Sequence, residues 1–433
     1  MRSMIADEES RLLLWLRVRE FAVPPTMIER ATARRAVGDW AGACAAARVD
    51  VDLDLRSVAR AHGHEVAARV RDDLRQLAPE LLRWHLPRVA PDGLLRPGLT
   101  VPLARYAPGL RLVARTPPVR AAAGQRFGLE LWDADRPVAR GHPHPRPHRC
   151  FRLDLHRHLW DVRRVDELRT RSGGGRPVPG LPSGCAADRW PDEARLLLRA
   201  DGQDGQGEQG EQDRQGGDAV VVRLGGRRRL LLDVSAPEPR ITTGGGAGLP
   251  MLPDAATWVL PDLALLRAGL IEADRLHPLV AKALVPGHAG AKRSGAAEGG
   301  MQLVQCRDAL HRVGLVDGVL VPLDHSADEV RREELLAALG GPPLPCLAAI
   351  ELAHRDPSSL DDVRGRLDHG DVAGALAVVE RLLGPGASLP DGPLRDELER
   401  AARRRVTRGL FRAELDELGP APARPARSPR RTR

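Results

Sequence analysis

The chain has 433 residues, of which 42% are hydrophobic and 29% are charged, and these values are typical of a globular protein and exclude wholesale disorder. At this length we expect two or three structural units rather than one core. With seven Trp, four Phe and one Tyr, the core is expected to consist largely of Leu, Val and Ala, and aromatic platforms for single-stranded nucleic acid are scarce.

The net charge of +8 and the pI near 10.1 suggest a nucleic-acid-binding protein, but the distribution of the charge argues against a general basic face. Five arginines lie within residues 419–433, a Pro/Arg-rich tail without acidic residues, and this leaves +3 on the rest of the chain. We expect this basic tail to be disordered.

The cysteines and the first residues favour a cytoplasmic location. Five widely separated cysteines without a C-x-x-C pair disfavour a disulfide framework or a zinc ribbon. Acidic Asp7, Glu8 and Glu9 stand where a secretory signal would carry basic residues. Arginines interrupt every leucine cluster before it reaches the roughly 18 apolar residues that a membrane span needs, so no membrane segment is expected.

Residues 1–90 have helical periodicity and are predicted to form a helical region, in which Pro79 begins a new helix or kinks the existing one. Residues 91–325 are predicted to form a central β-containing region, because their apolar runs are short and are bounded by Pro, Gly and Asp. Within it, residues 201–217 consist almost wholly of Gly, Gln, Asp and Glu and are predicted to be a disordered insert.

Two β-hairpins are predicted in the central region. Apolar residues before and after Gly225-Gly226 suit a two-residue turn with positive φ angles, and Asp317-Gly318 stands in the same position between residues 313–316 and 319–323.

The densest group of potential metal ligands lies in the same region. Imidazole and thiolate are preferred zinc ligands, and a His-x-His sequence in an extended chain points both rings to one side. The alternative is a polar surface loop, because prolines interleave the first histidines. The candidate ligands are His142, His144, His148, Cys150, His156 and His158.

Other motifs lack parts that their chemistry needs. His64-Glu65 begins like a metallopeptidase helix, but Ala68 stands where the second His is required. The glycine-rich stretch 244–248 lacks the Lys-Ser/Thr that would reach phosphate and magnesium, and no G-x-S-x-G elbow is present. These absences favour a non-enzymatic role and predict no cofactor.

Residues 326–418 are predicted to be helical. Ser326 and Glu329 form a capping box that begins one helix. A final helix starts near Leu394, and its arginines, Arg408 among them, are predicted to lie off an apolar face formed by Leu398, Ala402 and Val406.

The two helical regions contain similar segments that are 332 positions apart. Each is predicted to be an αα-hairpin, with Thr26 or Ser358 capping the first helix, a left-handed glycine ending it and an aspartate capping the second helix. The unit resembles the helical hairpins of tetratricopeptide-type repeats over roughly 25 residues. The resemblance implies two packed hairpins that either bind partners or close their own regions. Gly38, Asp39 and Gly42 correspond to Gly370, Asp371 and Gly374, and Arg34 corresponds to Arg366.

These patterns predict an α+β fold, with helical N- and C-terminal regions flanking a central region of short antiparallel strands and hairpins. The leading hypothesis is a non-enzymatic scaffold or regulatory subunit of a cytoplasmic assembly, which binds unidentified protein partners through its helical hairpins. One alternative is a metal-dependent hydrolase or nuclease that uses the His142 to His158 segment. Another is nucleic-acid binding through the Arg-rich C-terminal helix and tail.

Overall fold

The structure is a computed structural model. It describes residues 2–136, 142–174, 178–204, 218–225, 228–244, 246, 248–287, 302–306, 309–316, 319–322, 324–339, 341, 344–347, 357–383, 392–413 and 415.

Helices form most of the first 85 residues. Pro25 and Pro79 occupy the first positions of their helices, where the N–H that proline lacks would have no helical partner. A new helix therefore begins at Pro79, as predicted. The helices are α1 (Arg2–Arg17), which a π-helical turn (Val18–Ala22) continues, α2 (Pro25–Ala36), α3 (Trp40–Ala46), α4 (Leu55–His62), α5 (His64–Gln76) and α6 (Pro79–His85).

A mixed four-stranded sheet lies beside these helices, in the order β1 (Val49–Val51), β6 (Phe127–Asp133), β5 (Leu110–Arg115) and β4 (Thr100–Ala107). Gly109, with a φ of +73°, makes the tight turn between β4 and β5 and follows Pro108, the usual pairing in a type II turn. The first strand of the chain pairs in parallel with β6, whereas the other pairings are antiparallel. Strands β2 (Arg88–Val89) and β3 (Leu94–Leu95) form a separate small hairpin.

One hydrophobic core extends from Leu14 to Ala283 and crosses the predicted boundary near residue 90 without interruption. It is rich in Leu, Val and Ala, as the composition indicates, and encloses Phe127 and Trp160 completely. The domain division stays a prediction. Short helices complete this part: α7 (Leu168–Arg171), α10 (Pro261–Arg267) and α11 (Pro278–Leu284). Helix α9 (Asp254–Thr257) lies between this core and the next one, because Ala255 packs against the first and Ala256 is buried in the second.

Buried charges join the first helices to the central region. Glu80 of α6 is fully buried, and its Oε1 accepts hydrogen bonds from Arg35 Nη1 at 2.6 Å and from His277 Nε2 at 3.1 Å. The indole N–H of Trp84 donates to Asp262 Oδ2 at 2.7 Å. A buried carboxylate stays ionised only where such donors replace its water.

A second sheet has its own core. Strands β7 (Ala219–Arg223), β8 (Arg229–Asp233) and β9 (Arg240–Thr243) pair antiparallel, and helix α8 (Trp190–Asp204) packs against them through Trp190 and Leu197. The first predicted hairpin is confirmed, but its two-residue turn is wrong, because Leu224 N donates to Arg228 O and at least three residues lie between them.

The predicted disordered insert needs one correction. Helix α8 continues through Asp204, four residues into the segment 201–217, and Asp201 forms an ion pair with Arg152 at 2.9 Å. The remainder of the insert lies outside the described residues, as does the predicted tail 419–433.

The second predicted hairpin is confirmed in a third sheet. Strands β10 (Gln302–Cys306), β11 (Ala309–Val316) and β12 (Val319–Pro322) pair antiparallel, and the pairing of Val316 with Val319 leaves a two-residue connection. Helix α12 (Ala327–Ala338) follows, and its capping box is present, because Glu329 N donates to Ser326 Oγ and Ser326 N donates to Glu329 Oε2.

Within the described residues from 357 onward there are three helices: α13 (Pro357–Asp368), α14 (Val372–Leu383) and α15 (Pro393–Arg412). Their core contains Val363, Leu367, Ala375 and Ala401. The predicted apolar face of the last helix is wrong in part, because Ala402 is exposed, Val406 is 65% exposed, and Arg408 is buried. Arg408 is buried because a distant carboxylate pairs with its guanidinium.

The α+β prediction is therefore confirmed, with helices at both ends and small sheets between them. Within the part of the chain that the structure describes, no helix is long and apolar enough to cross a lipid bilayer.

Candidate anion-binding site

The two similar segments fold into matching αα-hairpins. Helices α2 and α13 have 12 residues each, and the turns contain left-handed glycines, with φ of +77° at Gly38 and +82° at Gly370. Asp39 accepts a hydrogen bond from Gly42 N at 2.8 Å, and Asp371 accepts one from Gly374 N at 3.3 Å. These turns confirm the predicted Gly-Asp stop and start signals.

The predicted starts of the hairpins are wrong by two residues, because caps at Thr26 and Ser358 would begin the helices at residues 27 and 359. Thr26 and Ser358 are the second residues of α2 and α13, which begin at Pro25 and Pro357. A proline at the first helical position has a fixed φ suited to a helix, and it replaces the side-chain cap that the sequence suggested.

The turns of the two hairpins lie close to one another. Arg48, just after α3, has a φ of +59°, a conformation uncommon for a residue with a Cβ. Its Nη1 donates to the carbonyl oxygen of His369 at 2.5 Å, and its Nη2 lies 3.3 Å from Asp371 Oδ1. Gly370 packs so tightly that a Cβ there would stand 2.3 Å from Gly124 O. The first hairpin is thus fixed to the second across more than 300 residues of sequence.

A cavity of about 530 Å³ lies between the hairpins, the 3₁₀ turn at residues 123–125 and helix α15. Its volume is in the range of small-molecule sites, which is about 300–1,000 Å³. Helices α2 and α14 both begin at its wall, so the positive ends of two helix dipoles contribute to its potential. Among the described residues that line it, Asp371 supplies the one carboxylate. Seven arginines line the cavity: Arg30, Arg48, Arg126, Arg404, Arg405, Arg408 and Arg412.

Five of these arginines share four carboxylates among the described residues. Arg48 pairs with Asp371, Arg404 with Asp368 at 3.1 Å, and Arg412 with Asp52 at 2.5 Å as well as with Asp50. Asp50, on β1, accepts hydrogen bonds from Arg126 at 2.5 Å and from Arg408 at 2.6 Å, and it lies 2.9 Å from Arg412. Burial raises the pKa of Asp50, but the hydrogen bonds from Arg126 and Arg408 outweigh burial, so the pKa lies below its ordinary value. This single carboxylate thus compensates parts of three positive charges.

Two arginines of the wall have no carboxylate partner among the described residues. Arg30 on α2 and Arg405 on α15 are both exposed, and neither forms an ion pair there. Their guanidinium groups are therefore available to a ligand.

Arg83 adds a positive charge close to this wall. It is fully buried, its donors bind the carbonyl oxygens of Ala22 and Gln125, and its Nη2 has no partner in the described part of the chain. Burial, with the repulsion of Arg48 and its neighbours, holds the pKa of Arg83 well below its ordinary value. The pKa of Arg48 is also lowered by burial, which outweighs attraction to Asp371. A bound anion would offset both the burial of these positive charges and the repulsion between them.

The first half of the predicted metal segment forms a loop. His142 Nε2 donates to Thr116 O at 3.0 Å, and Cys150 N donates to His148 Nδ1 at 3.1 Å. The Cys150 thiol lies 2.8 Å from the sulfur of Met251. The ring of His144 stands 6.4 Å from that of His148, edge to face.

The second half of that segment is buried in the protein. His156 Nε2 lies 3.2 Å from Glu193 Oε2, and burial lowers the pKa of His158 well below its usual range. The rings of these two histidines are 5.7 Å apart. These six candidate ligands form no shared cluster of three within binding distance in the described structure, and a metal site here stays a prediction.

A different group of ligand atoms converges beside the third sheet. His311, His325 and Cys346 have ligand atoms that all lie within 4.8 Å of one another. The sequence offered no signal for this group, because its members are 14 and 21 positions apart and match no metal motif. No family model, curated protein or solved structure matches the chain. The chemistry of these sites is therefore the basis for any functional assignment.

Proposed function

We propose that the protein is a regulatory binding protein that holds a phosphorylated small molecule in the arginine-lined cavity. The observation that carries this proposal is the imbalance of charge at the cavity. Among the described residues, four carboxylates pair with the seven arginines of its wall, and Arg30 and Arg405 pair with none of them. Guanidinium groups bind phosphate through pairs of parallel hydrogen bonds, which makes Arg the preferred residue at such sites.

The shape of the cavity favours a small ligand over a duplex. Its volume of about 530 Å³ accommodates a molecule of nucleotide size, and five segments of the chain surround it. A nucleic-acid duplex requires an extended basic face, whereas Arg408, an arginine of the C-terminal helix, is buried against Asp50.

A regulatory role is supported by the fact that segments from both ends of the chain form the walls of the cavity. Residues 24–48 form one side and residues 367–412 another, so a ligand that contacts both would favour the docked state of the C-terminal helices. A ligand that binds only this state stabilises it by mass action, by about 2.7 kcal/mol at 100 times its Kd. Occupancy of the cavity would thus control the position of α13, α14 and α15.

The test compares two arginines of the same helix. Arg405 lines the cavity and has no carboxylate partner among the described residues, whereas Arg403 lies outside it, is 78% exposed and pairs with Glu399. We expect Arg405→Gln to weaken the binding of inorganic triphosphate or ATP about tenfold in calorimetry, because one charge-assisted contact is lost. Arg403→Gln should bind as the wild type does.

Two outcomes would overturn the proposal. One is an equal loss of affinity in both variants, which would indicate general screening of charge. The other is tight binding of a single-stranded RNA by the wild type without binding of triphosphate or ATP, which would favour the nucleic-acid alternative instead.

An exposed apolar face supports a second candidate, the assembly subunit. Leu335 and Leu336 at the end of α12 and Leu339 just after it are 59%, 53% and 85% exposed, an unusual grouping of apolar side chains at a protein surface. If the assembly consists of copies of this chain, sedimentation velocity should show association that increases with protein concentration. Leu339→Asp should abolish this association, whereas Val406→Asp should leave it unchanged. A wild type that stays monomeric at all concentrations excludes such an assembly.

A further inference from the structure

The group His311, His325 and Cys346 joins a strand of the third sheet to two segments that follow this sheet in the chain. His311 lies in β11, opposite Val304 of β10. His325 stands between β12 and the capping box of α12, and Cys346 lies in the helical turn of residues 345–347. Neither repeat hairpin nor the arginine-lined cavity contributes to this group.

The side chains are partly shielded from water and point toward one another. His311 Nδ1 lies 2.7 Å from His325 Nε2, and the two rings are 4.3 Å apart. Cys346 is fully buried, and the side chain of His325 is 13% exposed. At this distance one of the two facing imidazole nitrogens donates a hydrogen bond and the other accepts it. The accepting nitrogen therefore has a lone pair close to the Cys346 thiol.

We propose that these three side chains bind a divalent transition-metal ion of the zinc type, with a fourth position open to another ligand. Two imidazoles and one thiolate are a donor set that zinc prefers. At Zn–N distances of about 2.0–2.1 Å and tetrahedral angles, the two nitrogens would separate to about 3.3 Å. The required movement from 2.7 Å is therefore small.

The protons can be accounted for without another reactant. The Cys346 thiol releases its proton to solvent as the thiolate forms. The proton between the imidazoles moves to the outer nitrogen of its own ring. His325 Nδ1, the nitrogen of that residue that faces away from His311, lies 4.0 Å from Glu329 Oε2, so a negative charge stands near the outer side of the His325 ring.

The first experiment uses the full chain, freed of metal by a chelator and titrated with Co²⁺ and then Zn²⁺. We expect one equivalent to bind, with release of about one proton and with a thiolate-to-cobalt absorption band that Zn²⁺ removes. In Cys346→Ser the band should be absent, and in His311→Ala or His325→Ala the affinity should fall at least about 100-fold.

The control variant carries His144→Asn and His148→Asn in the histidine-rich loop. Unchanged binding in this control, with loss in the three variants, supports the proposal. If the control loses metal binding and the three variants retain it, the proposal is overturned and the site at His142 to His158 is favoured.

Zinc-edge absorption spectroscopy of the wild type covers the case in which a variant fails to fold. A first shell with one sulfur and at least two imidazole nitrogens supports the site. A shell without sulfur, or less than about a tenth of an equivalent of bound metal, overturns it.

Discussion

Replacement of Asp50 by asparagine tests the packing of the chain ends and the charge of the cavity together. The change keeps the size of the side chain but removes the one negative charge on which Arg126, Arg408 and Arg412 converge. Breaking a fully buried ion pair by removing one partner costs about 3–5 kcal/mol. Arg126 and Arg412 are 33% and 45% exposed, so we expect a smaller loss of about 2–3 kcal/mol in the free energy of unfolding.

The same change should strengthen the binding of an anion. An anion that contacts these arginines would lie about 8 Å from Asp50, one guanidinium away. At an effective dielectric constant of about 40, a unit charge at that distance contributes about 1 kcal/mol, or about a fivefold change in Kd. Asp50→Asn should therefore be less stable than the wild type without ligand and bind triphosphate about fivefold more tightly.

Urea denaturation and calorimetry measure the two effects separately. Asp54→Asn is the control, because it also removes one negative charge but does so at an exposed position that caps α4. Asparagine caps helices as well as aspartate does, so the helix should be unaffected. It should leave both quantities unchanged. If Asp50→Asn weakened triphosphate binding, or if Asp54→Asn strengthened it equally, the placement of the anion beside these arginines would be refuted.

Two further predictions concern the second hairpin. Burial lowers the pKa of His369 to about 3, and the unfolded value is near 6.5, so the unfolded state binds more protons below pH 6.5 and stability falls as the pH decreases toward 3. His369→Gln should remove this contribution. The free energy of unfolding, measured by urea denaturation between pH 6 and pH 4, should then change less steeply with pH, by up to about 1.4 kcal/mol per pH unit. Identical slopes in the variant and the wild type would contradict a buried neutral imidazole. Gly370→Ala should destabilise the protein by about 2–4 kcal/mol, because the residue has a positive φ and the new Cβ would clash with Gly124 O. Gly38→Ala should cost only about 1 kcal/mol, because Gly38 also has a positive φ but the space around it is open. Equal melting temperatures of these two variants would show that the contact is looser than described.

Local signals in the sequence were sufficient to predict the hairpins. Gly38 with Asp39, and Gly370 with Asp371, specify a left-handed stop and a helix cap within four residues, and both turns form as predicted. The capping box at Ser326 and Glu329 is equally local. The start of α2 was misplaced because Thr26 is a good cap, while Pro25 before it fits the first helical position.

The arrangement of the site could not be predicted in the same way. Helical periodicity assigned Arg408 to the solvent side, but its partner Asp50 is 358 positions away, and no pattern within a window links them. The convergence of His311, His325 and Cys346 depends likewise on the pairing of β11 with β12 and on the position of a later helical turn. Tertiary contacts of this kind override a local pattern.

The pairing of Asp50 with Arg408 also has a consequence for biosynthesis. A ribosome that adds about 5–20 residues per second needs roughly 20–70 s to translate the 358 positions between them. The main core ends at Ala283 and can form while the last helices are still being made. The cavity between the hairpins is thus the last part of the fold to be completed, and chains truncated before α15 would retain that core but lack the binding site.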